Sequence, residues 1–322
     1  MNEKPTTIVV TSRSFGTGAA APGPWLEKRG YRVEKADHQH GLDNLRTVLP
    51  RAVGWIAGTG PVTGEHLDLA PHLRVVARYG VGVDAVDRAE LARRAITLTN
   101  TPGANTSAVA DHAVGLMLAV LRNTVAGDQA LRHAGTPPPP GRELGTCTVG
   151  LVGYGAIGRA VNQRLRGFGA RVLAHDPYLS SSPDDGVELT DLAALVRESD
   201  VLSLHCPPSR QPVVDEPLLR QIRPGAILVN TARAELVDEH AVAEALRDGR
   251  LAGAGFDVLA AERTGASPLL SAPNVTVTPH IAGHTIDAID RMGTTAAAEV
   301  VRVLEGERPH HLVPAPGCST EE

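Results

Sequence analysis

Three side chains in the second half of the chain have the chemistry for proton exchange and anion binding, and one glycine-rich turn has the chemistry for phosphate. His280, Arg233 and Glu262 each follow a strand-like run, where open α/β sheets bind ligands. A histidine exchanges a proton near neutrality, with an ordinary pKa of about 6.5. Arginine offers a planar, permanently charged fork for a carboxylate. An acid beside a histidine raises its basicity and fixes the ring. The chain has 13 histidines, so spacing alone leaves a structural role open for His280. The turn is better marked. Gly153, Gly155 and Gly158 form G-x-G-x-x-G between an apolar run and a helical pattern, and Asp176 ends the next strand-like run. Glycines there permit a tight turn, close approach of a pyrophosphate and close helix packing, while the helix N-terminus faces the phosphates. Asp176 is placed to accept from both adenosine ribose hydroxyls and to repel a 2′-phosphate, so the motif favours NAD over NADP.

The elements around these residues alternate. A strand over 148–152, a helix with Ile157, Val161, Leu165 and Phe168 on one face, and a strand from Arg171 to the acid make one βαβ unit. Strands are expected at 7–12, 31–36, 54–58, 74–79 and 97–101, with helices near 24–29, 42–49, 63–69 and 84–94. Later strands are expected at 200–204, 226–230, 252–256 and 275–278, with helices at 217–222, 238–247 and 286–304. The longest helical pattern runs from Thr106 to about Arg132, and Pro137 to Pro140 then impose an exposed, extended loop. This alternation predicts an α/β protein of two doubly wound parallel-sheet domains, a Rossmann-type cofactor domain inserted into a flavodoxin-like substrate domain. The boundaries expected are 1–103 with 286–322 for the discontinuous substrate domain, and 104–285 for the cofactor domain.

Bulk properties narrow the partners. The 322 residues suit two domains, and a net charge of −5 with 21% charged residues gives no basic excess for nucleic acid. No run of about 18 apolar residues recommends a membrane span. Cys147, Cys206 and Cys318 are odd in number, far apart and outside metal spacing, so no metal site is expected. Free thiols and the absence of a signal-like N-terminus make cytoplasmic residence the expectation.

The words around the candidate residues carry a resemblance. RYGVGVDAVD at 78–87, NTPGANTSAVADHAVGLML at 100–118, VGLVGYGAIG at 149–158, LVNTARAELVDEHAVAEAL at 228–246, GAGFDVLAAE at 253–262 and PNVTVTPHIAG at 273–283 occur in one order. In that order they resemble the D-isomer-specific 2-hydroxyacid dehydrogenases, the family of D-3-phosphoglycerate dehydrogenase and of glyoxylate or hydroxypyruvate reductase. The resemblance implies hydride exchange between NAD and a small D-2-hydroxy acid or 2-oxo acid, in a homodimer. It implies Arg233, Glu262 and His280 as the catalytic set. Arg78, Tyr79, Gly80, Val81 and Gly82 would serve the substrate, the loop through its backbone N–H groups. Cofactor contacts are implied at Asn105, Thr106, Gly153, Gly155, Ala156, Ile157, Gly158, Asp176, Cys206, Pro207, Thr231 and Asp257.

The departures are local. Ala234 replaces the usual glycine after the arginine, and Glu235 follows it. Arg78 matches a phosphate-contacting arginine, yet Gly58-Thr59-Gly60 lacks the arginine that phosphoglycerate enzymes often carry there. No stretch resembles the C-terminal regulatory domains of longer members, so serine feedback through one is not expected. Two other readings share the scaffold. An NADH-sensing protein like the C-terminal binding protein corepressors finds no added disordered tail in its favour. A formate or phosphite dehydrogenase would need a glutamine in place of Glu262 or a lysine within 79–83, and neither is present.

Overall fold

The computed structural model describes residues 6–182, 184–260 and 265–316. The chain divides into two compact units, 1–105 with 284–322, and 106–283.

In the first unit, β1 (Thr7–Val10), β2 (Arg32–Lys35), β3 (Ala52–Ala57), β4 (Val75–Arg78) and β5 (Thr97–Thr99) form a parallel sheet in the order β2-β1-β3-β4-β5. The strand order reverses between β1 and β3, so ligand-facing loops are expected beyond their carboxyl ends. β3 is buried along its whole length, as a central strand covered on both faces must be. The helix Ile286–Glu305 belongs to this unit and packs on β3 and β4 through Ala288, Ile289, Met292, Ala296 and Val300. Thr285 caps its start by accepting from the Ala288 amide, and Gly306, at φ +86°, ends it.

The second unit holds β6 (Thr148–Val152), β7 (Arg171–His175), β8 (Val187–Leu189), β9 (Val201–Leu204), β10 (Ala226–Asn230), β11 (Leu251–Phe256) and β12 (Val275–Val277). Every pair is parallel, in the order β12-β11-β10-β9-β6-β7-β8. The reversal falls between β6 and β9, beside the glycine turn. The fold class read from the sequence is the one observed.

Three elements differ from the sequence reading, one of them the helix Leu192–Glu198, which it did not anticipate. The single helix expected from Thr106 to about Arg132 is two, Thr106–Leu121 and Thr124–Arg132, because Asn123 adopts φ +53°. Asparagine tolerates that left-handed conformation, and tertiary bonds hold it: Asn123 Nδ2 donates to Pro139 O (3.0 Å) and Arg142 N to Leu121 O (2.9 Å). The proline run thus folds back onto the helix end. The edge strand β8 was not anticipated, since three residues carry too little pattern to register.

One buried group makes the first unit sensitive to acid. His40, at φ +61°, has Nδ1 2.8 Å from the Pro61 carbonyl. A carbonyl only accepts, so Nδ1 carries the proton, and the buried Nε2 has no hydrogen-bond partner among the described residues. Burial drives its pKa down to about 4, against the Pro61 hydrogen bond. Between that value and the ordinary value of about 6.5 the unfolded chain binds a proton that the folded one refuses. Stability therefore rises with pH across this window and falls on acidification, by about 2 kcal/mol between pH 7 and pH 5. Denaturant titrations at both pH values should show this loss shrinking in His40→Asn, which keeps the left-handed backbone. Equal losses in the two proteins would contradict it.

Candidate active site

The glycine turn after β6 is built by close backbone packing. Gly153 has φ +92°, and a Cβ there would lie 2.7 Å from Cys206 N and from the His205 carbonyl carbon. A Cβ at Gly158 would lie 2.4 Å from Gly153 O, so the helix Ala156–Leu165 can start this close to the turn only with glycine there. Gly155 is different: a Cβ there would meet nothing within 4 Å. Ala156 and Ile157 open the helix, whose first turn has no acidic side chain, leaving the end suited to an anion. At the end of β7, Asp176 Oδ2 accepts from Tyr154 N (2.9 Å) and Oδ1 from Tyr178 N (3.0 Å). Each oxygen keeps a lone pair for a ribose hydroxyl.

Two polar atoms at neighbouring strand ends lack partners. His205, after β9, is driven by burial to a pKa of about 4 and is neutral, with Nε2 3.0 Å from Ser203 Oγ and a buried Nδ1 that pairs with nothing described. Thr231 Oγ1, after β10, is likewise buried and unpaired among the described residues. Both atoms are shielded from solvent at strand ends beside the glycine turn. Cys206 is half-buried against the core, its thiol pushed up first by burial, and Pro207 is exposed.

Arg233 sits on the turn leaving β10, and Asn230 shapes that turn. The Asn230 side chain is fully buried; Oδ1 accepts from Ala232 N (3.0 Å) and Nδ2 donates to Arg233 O (2.8 Å). Arg233 Nη1 donates to Ala232 O (2.8 Å), and Ala234 and Glu235 continue into a short helical turn, so the replaced glycine leaves the turn regular.

His280 sits on the turn leaving β12, at φ +54°. That conformation costs a non-glycine residue about 1–3 kcal/mol and persists only where surroundings over-determine it. Asp257, 1% exposed at the end of β11, does so. Its Oδ1 accepts from Thr278 Oγ1 (2.5 Å) and Ile281 N (2.9 Å), its Oδ2 from Ala282 N (2.8 Å), and its carbonyl from His280 N (2.9 Å). Burial pushes this carboxyl up, but the nearby His112 ring and hydrogen bonds from Thr278, Ile281 and Ala282 outweigh it and hold the pKa below the usual range. The carboxylate of Asp257, the residue expected to touch the cofactor, is engaged with the His280 turn. Glu262 lies outside the described residues. Buried Glu239 accepts from Ala260 N and Ser267 Oγ, both at 2.7 Å.

In the first unit, the loop after β4 is held by side chains on its carbonyls. Asn100 Nδ2 donates to Val81 O (2.9 Å) and Arg78 Nε to Gly82 O (3.0 Å), while Gly80, at φ +134°, donates its amide to Thr101 Oγ1 (3.0 Å). This corrects one expectation: the Gly80 amide is already engaged, which leaves Val81 and Gly82 as the loop's candidate donors. Arg78, 5% exposed, also donates from Nη1 to Gly60 O (3.0 Å), tying the loops after β3 and β4 together. Tyr79 is buried, its hydroxyl donating to Ile289 O (3.1 Å). Asn105 ends this unit with a buried, unpaired Oδ1, and Thr106 opens the second.

Sequence reasoning missed Asn230, Thr278, Glu239 and His112 as organisers of these turns. All four lie inside the words that carry the resemblance, which do not say what each side chain holds.

Comparison with known proteins agrees with this architecture. Residues 114–282 match the model of the D-isomer specific 2-hydroxyacid dehydrogenase NAD-binding domain. D-3-phosphoglycerate dehydrogenase of Mycobacterium tuberculosis is 40% identical over 307 residues, covering 93% of this chain and 57% of that protein, so the chain spans little more than half its length. Glyoxylate reductase of Thermofilum pendens is 39% identical over 267 residues, 79% of each chain. A crystal structure of a Thermus thermophilus protein superposes with a TM-score of 0.86 at 36% identity, covering 96% of this chain and all of that one. The chain belongs to the D-isomer-specific 2-hydroxyacid dehydrogenase family, and its second unit is the NAD-binding domain of that family.

Proposed function

We propose that this protein is an NAD-linked oxidoreductase interconverting a small, unphosphorylated D-2-hydroxy acid and its 2-oxo acid. The observation that carries the reading is the placing of Arg233 and His280 on turns at the carboxyl edge of the same sheet that presents the glycine turn and Asp176. Bound NAD would supply a hydride acceptor at its nicotinamide ring. In the oxidative direction neutral His280 takes the hydroxyl proton of the substrate, and Glu262 steadies the imidazolium that results. In the reductive direction the imidazolium returns the proton to the carbonyl oxygen. Arg233 is the proposed cation for the substrate carboxylate, and the Val81 and Gly82 amides are proposed neutral donors to it. The lack of an arginine in Gly58-Thr59-Gly60 supports a substrate without phosphate. A homodimer is part of the same reading, supported by the helix Thr124–Arg132, which buries no residue and leaves Leu131 87% exposed. Cytoplasmic residence accords with the free thiols Cys147 and Cys206.

A panel of glyoxylate, hydroxypyruvate, pyruvate, longer 2-oxo acids and 3-phosphohydroxypyruvate, followed by nicotinamide absorbance with NADH and NADPH, tests it. Turnover of an unphosphorylated acid with NADH preferred is expected, and Asp176→Ser should erode that preference. Assembly driven by NADH with no turnover on any acid would overturn the enzymatic reading. Preference for the phosphorylated acid would overturn the substrate class, and an unchanged cofactor ratio in Asp176→Ser would remove that residue from cofactor choice.

A further inference from the structure

Besides Asp257, the helix Thr106–Leu121 reaches the turn that carries His280. His112, in the second turn of the helix Thr106–Leu121, places Nε2 2.9 Å from Thr278 Oγ1 and 3.5 Å from Asp257 Oδ1. Hydrogen counting fixes the direction of the chain. Asp257, held below the usual carboxylate range, is ionised and only accepts, so the 2.5 Å contact to Thr278 must be donated by the Thr278 hydroxyl. With that proton turned to Asp257, Thr278 Oγ1 faces His112 with its lone pairs, and Nε2 must carry a proton to give. The relay therefore reads His112 Nε2–H to Thr278 Oγ–H to Asp257 Oδ1. Asp257 in turn takes the amides of Ile281 and Ala282 on its carboxylate and that of His280 on its carbonyl.

We propose that His112 is a positioning residue: through Thr278 and Asp257 it ties the helix Thr106–Leu121 to the left-handed turn that presents His280. The inference rests on the reading of His280 as the proton-exchanging group. Two features separate this role from packing. The His112 side chain is 22% exposed, so water can replace its donor and the fold tolerates its loss. Its contacts are polar and directional, ending on the residue that sets the His280 backbone. Loosening this tie shifts the imidazole by a fraction of an ångström without removing any group that holds NAD.

The test is steady-state kinetics on the accepted 2-oxo acid, with NADH affinity by fluorescence titration and thermal melting alongside. His112→Leu is expected to lower kcat on the order of tenfold, since misplacing a reacting group by about an ångström costs up to about a hundredfold. NADH affinity and melting temperature should stay near wild type. His112→Gln, which offers an N–H donor at nearly the same reach, should restore most of kcat. Thr278→Val cuts the same relay, and the double variant His112→Leu/Thr278→Val should lose no more than the worse single one, because groups acting as one chain are not additive. Wild-type kcat in His112→Leu, no recovery in His112→Gln, or additive losses in the double variant would each overturn the proposal. His280→Ala serves as reference: if it keeps wild-type turnover, the underlying reading of His280 has failed, whereas an inactive His280→Ala beside a fully active His112→Leu sinks the positioning role alone.

Discussion

Replacing His280 with alanine is expected to reduce turnover by about 10² to 10⁴, the contribution of a positioned general acid–base group, with NADH binding retained. The turn complicates the experiment. At φ +54° any residue with a Cβ is strained, so alanine changes chemistry and leaves the backbone cost in place. His280→Asn is the better partner variant, because asparagine occupies the left-handed region more readily and cannot exchange a proton near neutrality. Loss of turnover in both variants, with NADH fluorescence titrations unchanged, assigns the loss to proton transfer. Substantial turnover in either variant, with the cofactor still bound, would remove His280 from the mechanism. The Asp257 network gives the experiment a clean background, since the Asp257 carbonyl holds the residue 280 amide whatever the side chain.

The second large effect is expected at the glycine turn, where two alanine substitutions should fail in different ways. Gly153→Ala puts a Cβ 2.7 Å from Cys206 N and the His205 carbonyl carbon, backbone atoms that cannot rotate aside, at φ +92°. Left-handed strain of about 1–2 kcal/mol and overpacking of about 1–3 kcal/mol together predict a destabilisation of about 2–5 kcal/mol. Denaturant unfolding measures it, and a wild-type midpoint would contradict the packing described. Gly155→Ala meets nothing within 4 Å, so the free protein should unfold like wild type. The added methyl group occupies the open face of the turn, and the overpacking cost of about 1–3 kcal/mol falls on the complex instead, weakening NADH roughly tenfold or more. Wild-type NADH affinity in Gly155→Ala would mean that the cofactor does not approach this face.

Much of this architecture was legible from local pattern. The βαβ unit from β6 to Asp176 announces itself because each signal is short-range: an apolar run, glycines at fixed spacing, a helical stripe and an acid at a strand end. The parallel sheets follow from strands alternating with helices, and His280 and Arg233 could be named because they follow strands in recognisable words. Two local readings failed where distant chain intervened. The helix through Asn123 breaks because residues 139 and 142 return to bond its end, and the β8 edge strand depends on its pairing with β7.

What the sequence determined by itself is the set of groups available: a phosphate-compatible turn, an acid at the end of the next strand, a histidine, an arginine and a second acid. What only the tertiary structure decided is how those groups are held and which are already engaged. Thr101 takes the Gly80 amide, and Gly60 and Gly82 take two N–H groups of Arg78. Residues 112, 278, 281 and 282 converge on the Asp257 carboxylate, a network that no sequence pattern announces. The physical reason is the same in each case. A hydrogen bond between residues far apart in the chain leaves no periodicity for a sequence pattern to carry, yet a buried polar group must find such a partner, and only the fold says which one it found.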